Sequence, residues 1–184
     1  MTAGWSIETA AIAELTEVSA VLEDAAAWLN ERGVRQWPTR FPARPLLPAI
    51  ERGETWLVRA GTEVVATVTV DHADASWDDL PSDAAYVHRM AVRSHGEQLG
   101  SWMLDWVTHI AVDEGRRAVR LDCVATNDGL CRYYERQGFR PMGTVTVGGM
   151  PGERLTSKAT QTAVRRFERV RCDSATKTGA PRTR

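Results

Sequence analysis

The stretch Tyr86–Val107, YVHRMAVRSHGEQLGSWMLDWV, decides how this chain folds. Its opening is the end of an extended run predicted over Ala84–Val92, rich in residues that fit a pleated, half-buried surface. A polar turn holding Gly96 follows, and a helix is predicted from about Gln98. In that helix Leu99, Trp102, Met103, Trp106, Val107 and Ile110 recur every three or four residues, and Gly115 stops it. The first turn of a helix leaves amide N–H groups unpaired and carries about half a positive charge, so a strand–turn–helix unit of this kind offers an anion site. Gly96 and Gly100 would let a phosphate approach the backbone, although glycines at such turns also serve packing alone.

Working outward from this unit, a strand is predicted over Ala118–Val124, then a short helix over Asn127–Gln137 closed by Gly138, then a strand over Phe139–Val147. The Gly148–Gly152 turn permits a last strand near Glu153–Ser157. On the N-terminal side, Ile12, Leu15, Val18, Leu22, Ala25 and Leu29 mark a helix over about Ala10–Arg32 that ends at Gly33. Prolines 38, 42, 45 and 48 make the next segment irregular, with room for a short helix over Leu46–Arg52. Thr55–Arg59 and Glu63–Val70 form a hairpin through Ala60-Gly61-Thr62, with Val64, Ala66, Val68 and Val70 on one face and Thr67 and Thr69 on the other. Helix, hairpin, then alternating strands and helices read as a mixed α/β sheet with helices on both faces.

The second informative stretch is LDCVATNDGLCRYYERQGF, residues 121–139. Asn127 suits the N-cap of its helix, Tyr133 and Tyr134 lie on it, and a capped helix with one buried tyrosine accounts for the segment in structural terms. Together the two stretches resemble the GNAT superfamily of N-acetyltransferases. The matching residues are Met90-Ala91-Val92, then Arg93, Gly96 and Gly100 at the helix start, and about thirty residues later Asn127 with Tyr134-Glu135-Arg136-Gln137-Gly138-Phe139.

The resemblance implies a GNAT-like, mostly antiparallel sheet with a central splayed strand pair, and acetyl-CoA as cosubstrate. It implies that Met90, Ala91 and Val92 offer backbone groups to the pantetheine arm. His95, Gly96, Glu97, Gln98, Leu99, Gly100 and Ser101 would cradle the pyrophosphate, and Asn127 would contact the cofactor arm. Tyr134 would protonate the leaving thiolate as general acid. Gln98 stands where the family carries Gly or Ala, so it would either crowd the pyrophosphate or add a hydrogen bond. For the general base, His88 is the candidate, two residues before Met90 on what reads as the same strand face; Asp122 is an alternative, equally explained by an ion pair with Arg120. Trp37, Arg40 and Phe41 would line the acceptor side and hold a cation, or else make core contacts. Cys131 reads as core packing rather than as a nucleophile.

Composition bounds the remainder. The chain has 184 residues, 43% hydrophobic and 26% charged, enough for one packed domain and too patterned for whole-chain disorder. Lys158 onward carries eight Lys/Arg against two acids, net +6, which leaves −7 on the body. The expected division is a domain over 1–157 and a basic, flexible tail over 158–184 with a short helix near Ala163–Val170. The acidic body favours a cationic small-molecule amine as acceptor. Phe167 alone interrupts the tail's polar run, so nucleic acid is not expected. No apolar run reaches membrane-spanning length, no leader is visible, and three cysteines without CxxC point to reduced thiols, a cytoplasmic location and no metal site. Exposed tryptophans and edge strands are compatible with a homodimer. The rival to an acetyltransferase is a catalytically inactive GNAT-fold binding or accessory module, which Gln98 and the absence of an obvious base would suit.

Overall fold

The computed structural model describes residues 4–93, 98–148 and 161–170. In chain order the elements are β1 (Trp5–Thr9), a 3-10 turn, α1 (Leu15–Glu31), α2 (Ala43–Glu51), β2 (Thr55–Ala60) and β3 (Glu63–Asp71). After a second 3-10 turn come β4 (Ala84–Val92), α3 (Leu99–Asp113), β5 (Ala118–Val124), α4 (Asp128–Arg136), β6 (Arg140–Gly148) and β7 (Gln161–Val170). The seven strands form one sheet in the order β1-β2-β3-β4-β5-β7-β6. All neighbours are antiparallel except β4 and β5.

Two apolar layers hold helices on both faces. Val18, Val21 and Leu22 of α1 and Leu46 and Ile50 of α2 pack with Phe41, Leu57, Val64 and Ala91. Leu99, Met103, Leu104 and Val107 of α3 pack with Val58, Ala66, Val68, Val87, Val119, Leu121 and Phe167 on the other face, together with Cys131 and Tyr134 of α4. Burying side chains of this size contributes about 1.5–3 kcal/mol each. The α3 stripe read from sequence is buried at Leu99, Met103 and Val107, while Trp102 and Trp106 are half-buried and pair edge-on with Trp5 and Trp56 at 5.6 and 4.8 Å.

Several sequence expectations are corrected. Val64 does not share a face with Ala66, Val68 and Val70, because an extra residue on β3 between the pairs Val58–Ala66 and Arg59–Val64 shifts the alternation by one. Thr67 and Thr69 are buried beneath the α1 face; Thr67 donates to the Trp56 carbonyl at 2.9 Å, and the Thr55 and Thr69 hydroxyls lie 3.1 Å apart. β1 escapes the sequence pattern, being five residues with only Trp5 and Ile7 turned inward.

The division at Ser157/Lys158 is not where the sheet ends. Gln161–Val170 form a strand, not a helix, inserted between β5 and β6. Phe167 is wholly buried there, and Arg120 pairs with Glu168 at 3.0 Å. The expected strand at Glu153–Ser157 and the residues beyond Val170 lie outside the described residues. Among the described residues no helix is long and apolar enough to cross a membrane.

Candidate active site

The sheet opens where its two parallel strands part. β4 and β5 pair from Ala84–Ala118 to Val87–Leu121 and no further, so His88–Val92 and Asp122–Val124 diverge. β4 stays attached to β3 on its other edge, with a bulge: Thr67 faces Ala91 and Thr69 faces His88, which leaves an extra residue on β4. Arg89 absorbs it at φ +48°, a left-handed conformation that an arginine seldom adopts. The bulge also corrects the two-residue reading of His88 and Met90. Val87 joins the α3/α4 core, Ala91 the α1/α2 core, and Met90 packs against the former, so alternation breaks between His88 and Met90.

Two cavities meet at the opening. The larger, about 600 Å³, runs from Trp28 and Leu29 of α1 past Met90, Ala91 and Val92 to Gly100, Asn127, Tyr133 and Tyr134. The smaller, about 260 Å³, is lined by Trp37, Phe41, Asp74, His88, Arg89, Asp122 and Tyr134 among others. Tyr134, Met90, Gln36 and Trp37 border both.

Tyr134 is buried by Phe139 and Phe167, with ring centroids at 6.0 and 5.6 Å. Burial holds its hydroxyl well above the ordinary tyrosine range, so it keeps its proton and is available as a donor. Asn127 caps α4 by accepting from the Leu130 amide at 3.1 Å and donates to the Gln36 side chain at 2.8 Å. Gln36 lies in the proline-rich segment and gave no periodic signal; its buried amide joins that segment to the α4 cap.

At the start of α3, Gln98 is exposed and occupies the N-cap without a side-chain cap bond, and Leu99 is buried. Gly100 sits against Tyr133: a Cβ there would lie 2.6 Å from the Tyr133 hydroxyl, which hydrogen-bonds Ser101. His95, Gly96 and Glu97 lie outside the described residues. Arg93 is committed to α1, donating to Asp24 at 2.7 Å and to the Val64 carbonyl at 2.7 Å.

The smaller cavity carries the charge. His88 Nε2 lies 3.5 Å from Asp71 and 3.7 Å from Asp74. Burial lowers the His88 pKa from its ordinary value, while the Asp74 and Asp122 carboxylates pull the other way. Asp122 is not the partner of Arg120, which is bound to Glu168, the Pro81 carbonyl and the Tyr86 hydroxyl; burial raises the Asp122 pKa and the nearby His88 opposes that rise. Asp74 is fixed by accepting from the Ser76 amide at 2.8 Å. Asp71 is pushed up to about 6 by burial and by its hydrogen bond with Glu54. Phe41 is buried in the α1/α2 core and stacks edge-on with Trp37 at 6.0 Å, whereas Arg40 is exposed and pairs with Glu23 at 3.2 Å. Cys131 is buried with its sulfur 3.6 Å from that of Cys123, which is the packing role expected of it.

Asp74, Asp71, Arg89 and Gln36 were not singled out in the sequence. Only Asp74 carried a local signal, an aspartate two residues before the amide it caps.

Comparison with known proteins places this geometry. The model of the acetyltransferase (GNAT) family matches residues 22–139, more than half the chain. YesJ of Bacillus subtilis (strain 168), an uncharacterized N-acetyltransferase, is 33% identical over 143 residues, covering 71% of this chain and 79% of that protein. A GNAT-family acetyltransferase from Listeria monocytogenes superposes with a TM-score of 0.71 at 23% identity, covering 92% of this chain and 98% of that one. YncA of Salmonella typhimurium, solved with its cofactor acetyl-CoA, superposes with a TM-score of 0.64 at 13% identity, covering 97% and 98%.

Proposed function

The chain belongs to the GNAT family of acetyltransferases, which makes acetyl-CoA its cosubstrate, and we propose that it moves the acetyl group to a primary amine of a small molecule that is cationic at the reacting group. The carrying observation is that Tyr134 borders both cavities. A donor at that junction faces the cosubstrate from one side and the acceptor from the other.

The larger cavity suits the cosubstrate. It is mainly apolar, and one wall is the β4 edge over Met90–Val92, part of the stretch whose backbone is released from β5. Met90, Ala91 and Val92 would bind the pantetheine arm through that edge. Gln98, Leu99, Gly100 and Ser101 would present the α3 N-terminus to the pyrophosphate, with His95, Gly96 and Glu97 on the turn before it. Asn127, held by its cap bond and by Gln36, would orient the arm near Tyr134.

The smaller cavity suits the acceptor. Asp74 and Asp122 attract an ammonium ion, and His88 between them stays neutral through burial, ready to take a proton. The chemistry is direct transfer in a ternary complex. His88 takes the ammonium proton, the freed amine nitrogen bonds to the thioester carbonyl carbon, and the carbon–sulfur bond breaks as Tyr134 donates its proton to the leaving sulfur; the second proton of the acylated nitrogen then restores Tyr134, and His88 gives its proton to solvent.

Calorimetric titration with acetyl-CoA, with CoA as control, tests the first half of this reading. Micromolar binding, about −8 kcal/mol, is expected. A panel of small amines then tests transfer through release of free thiol. Absence of heat at high acetyl-CoA concentration overturns the enzymatic reading. Binding without turnover on any amine favours the accessory-module reading.

A further inference from the structure

Arg89 is used by neither the cosubstrate site nor the proton transfers above. It sits at the β4 bulge in a left-handed conformation, half-buried, and borders the smaller cavity beside His88, Asp74 and Asp122. Several other sheltered arginines of the sheet are paired. Arg59 binds Glu8 and Glu14, Arg120 binds Glu168, Arg166 binds Asp79, and Arg169 binds Asp105. Arg89 makes no hydrogen bond or ion pair with any described residue.

The surroundings explain why its charge stays unmatched. The carboxylate that acts on it is Asp71 of β3, and the opposing cation is Arg52 after α2. Asp71 is already engaged by Glu54, lies 3.7 Å from Arg52 and faces His88 at 3.5 Å. Burial accordingly lowers the Arg89 pKa from its ordinary value, the mark of a desolvated cation without full compensation. A guanidinium kept in a sheltered site at a strained backbone position presents a planar fork of donors suited to a carboxylate or a similar oxyanion.

We propose that the acceptor is an amino-acid-like zwitterion, whose acid group is bound by Arg89 while its ammonium group lies among Asp74, Asp122 and His88. The inference rests on the acetyltransferase reading and names its substrate class. It refines the acceptor from a plain cation to a molecule cationic at one end and anionic at the other. It also makes Arg89 a specificity-determining residue: an amine lacking the acid group leaves the guanidinium desolvated and unpaired, which costs affinity.

The test is calorimetric binding to the protein saturated with CoA, using pooled free L-amino acids, their amides, and the matching decarboxylated amines. The free acids are expected to bind about 10-fold or more tightly than amides or amines. Arg89→Asn, whose side chain tolerates the left-handed conformation, is expected to cut that preference to roughly twofold, and Arg89→Lys to keep part of it. Equal binding of acids and amines, or no binding by any member, overturns the proposal. So does an Arg89→Asn protein that keeps the preference and changes only the pH profile, since Arg89 would then serve merely to hold His88 neutral. Failure of the acetyltransferase reading looks different: acids bind with Arg89-dependent preference yet release no thiol from acetyl-CoA.

Discussion

The two cavities that meet at Tyr134 differ in the charge their walls gather. The larger is walled mainly by apolar residues, among them Met90, Ala91, Val92, Leu130, Trp28 and Leu29, with Arg32 and Asp128 as its charged members. The smaller gathers Asp74, His88, Arg89 and Asp122 within about 260 Å³. On the proposed reading, backbone groups at a strand edge and a helix start would recognise the cosubstrate, and side-chain charge would recognise the particular acceptor. If this contrast holds, damage at the junction stops chemistry, damage on the apolar side weakens cosubstrate binding, and damage on the charged side changes the acceptor and the pH response.

The largest effect is expected at the junction. Tyr134→Phe keeps the ring packed against Phe139 and Phe167 and removes only the proton donor. kcat should fall by about 10²–10⁴-fold with acetyl-CoA affinity unchanged. Steady-state kinetics beside calorimetry check this, and full activity would remove Tyr134 from the chemistry. Next comes His88→Gln on the charged side. In the wild type, kcat/KM should rise with pH through a pKa below the ordinary histidine value of about 6.5, because burial lowers it and only the neutral ring accepts a proton. The variant should lose roughly 10²-fold and that acid limb together; a limb that survives would assign the base to Asp122 or to solvent.

How far each side was legible in the sequence follows the same contrast. The apolar side announces itself locally: a strand, a glycine-bearing turn, a helix with an unbroken stripe from Leu99 to Val107, and a capped helix carrying Tyr134. Helix signals need only neighbours along the chain. The charged side is assembled from β3, β4, β5 and the loop at Asp74, and nothing in the spacing of Asp71, Asp74, His88 and Asp122 foretells their meeting. Bulges hide it further. One extra residue on β4 moves His88 and Met90 off a common face, and another on β3 turns Val64 away from Ala66. β7 escapes the local pattern for a related reason: among its ten residues the buried ones include Arg166 and Glu168, whose burial depends on Asp79 and Arg120 in distant segments.

A smaller effect is expected at Gly100 on the apolar side. An alanine Cβ would fall 2.6 Å from the Tyr133 hydroxyl, so the ring must swing and give up its bond to Ser101. Because Tyr133 lines the larger cavity, Gly100→Ala should raise KM for acetyl-CoA by about 10-fold with little change in kcat, acceptor affinity being untouched. An equal loss in acceptor affinity would mean that the two cavities are not separate modules.

The smallest effect tests whether charge on the acceptor side is held at a cost to the fold. Asp71 stands behind His88 with its pKa pushed up to about 6 by burial and the Glu54 hydrogen bond. A carboxyl raised in the folded state binds its proton more tightly there than in the unfolded chain. Its contribution to stability is therefore fully present below about pH 4 and is lost as pH rises through about 6. Asparagine imitates the protonated form, so Asp71→Asn should leave stability unchanged near pH 4 and raise it at pH 7.5. Solvent around this partly open carboxyl limits the gain to about 1 kcal/mol, or roughly 2–4 °C in Tm. Thermal unfolding at the two pH values decides the matter. A variant less stable at pH 7.5 would show that the attraction of Arg52 outweighs the cost of burial. The charged cavity would then be a source of stability, and the contrast with the apolar side would lie in recognition alone.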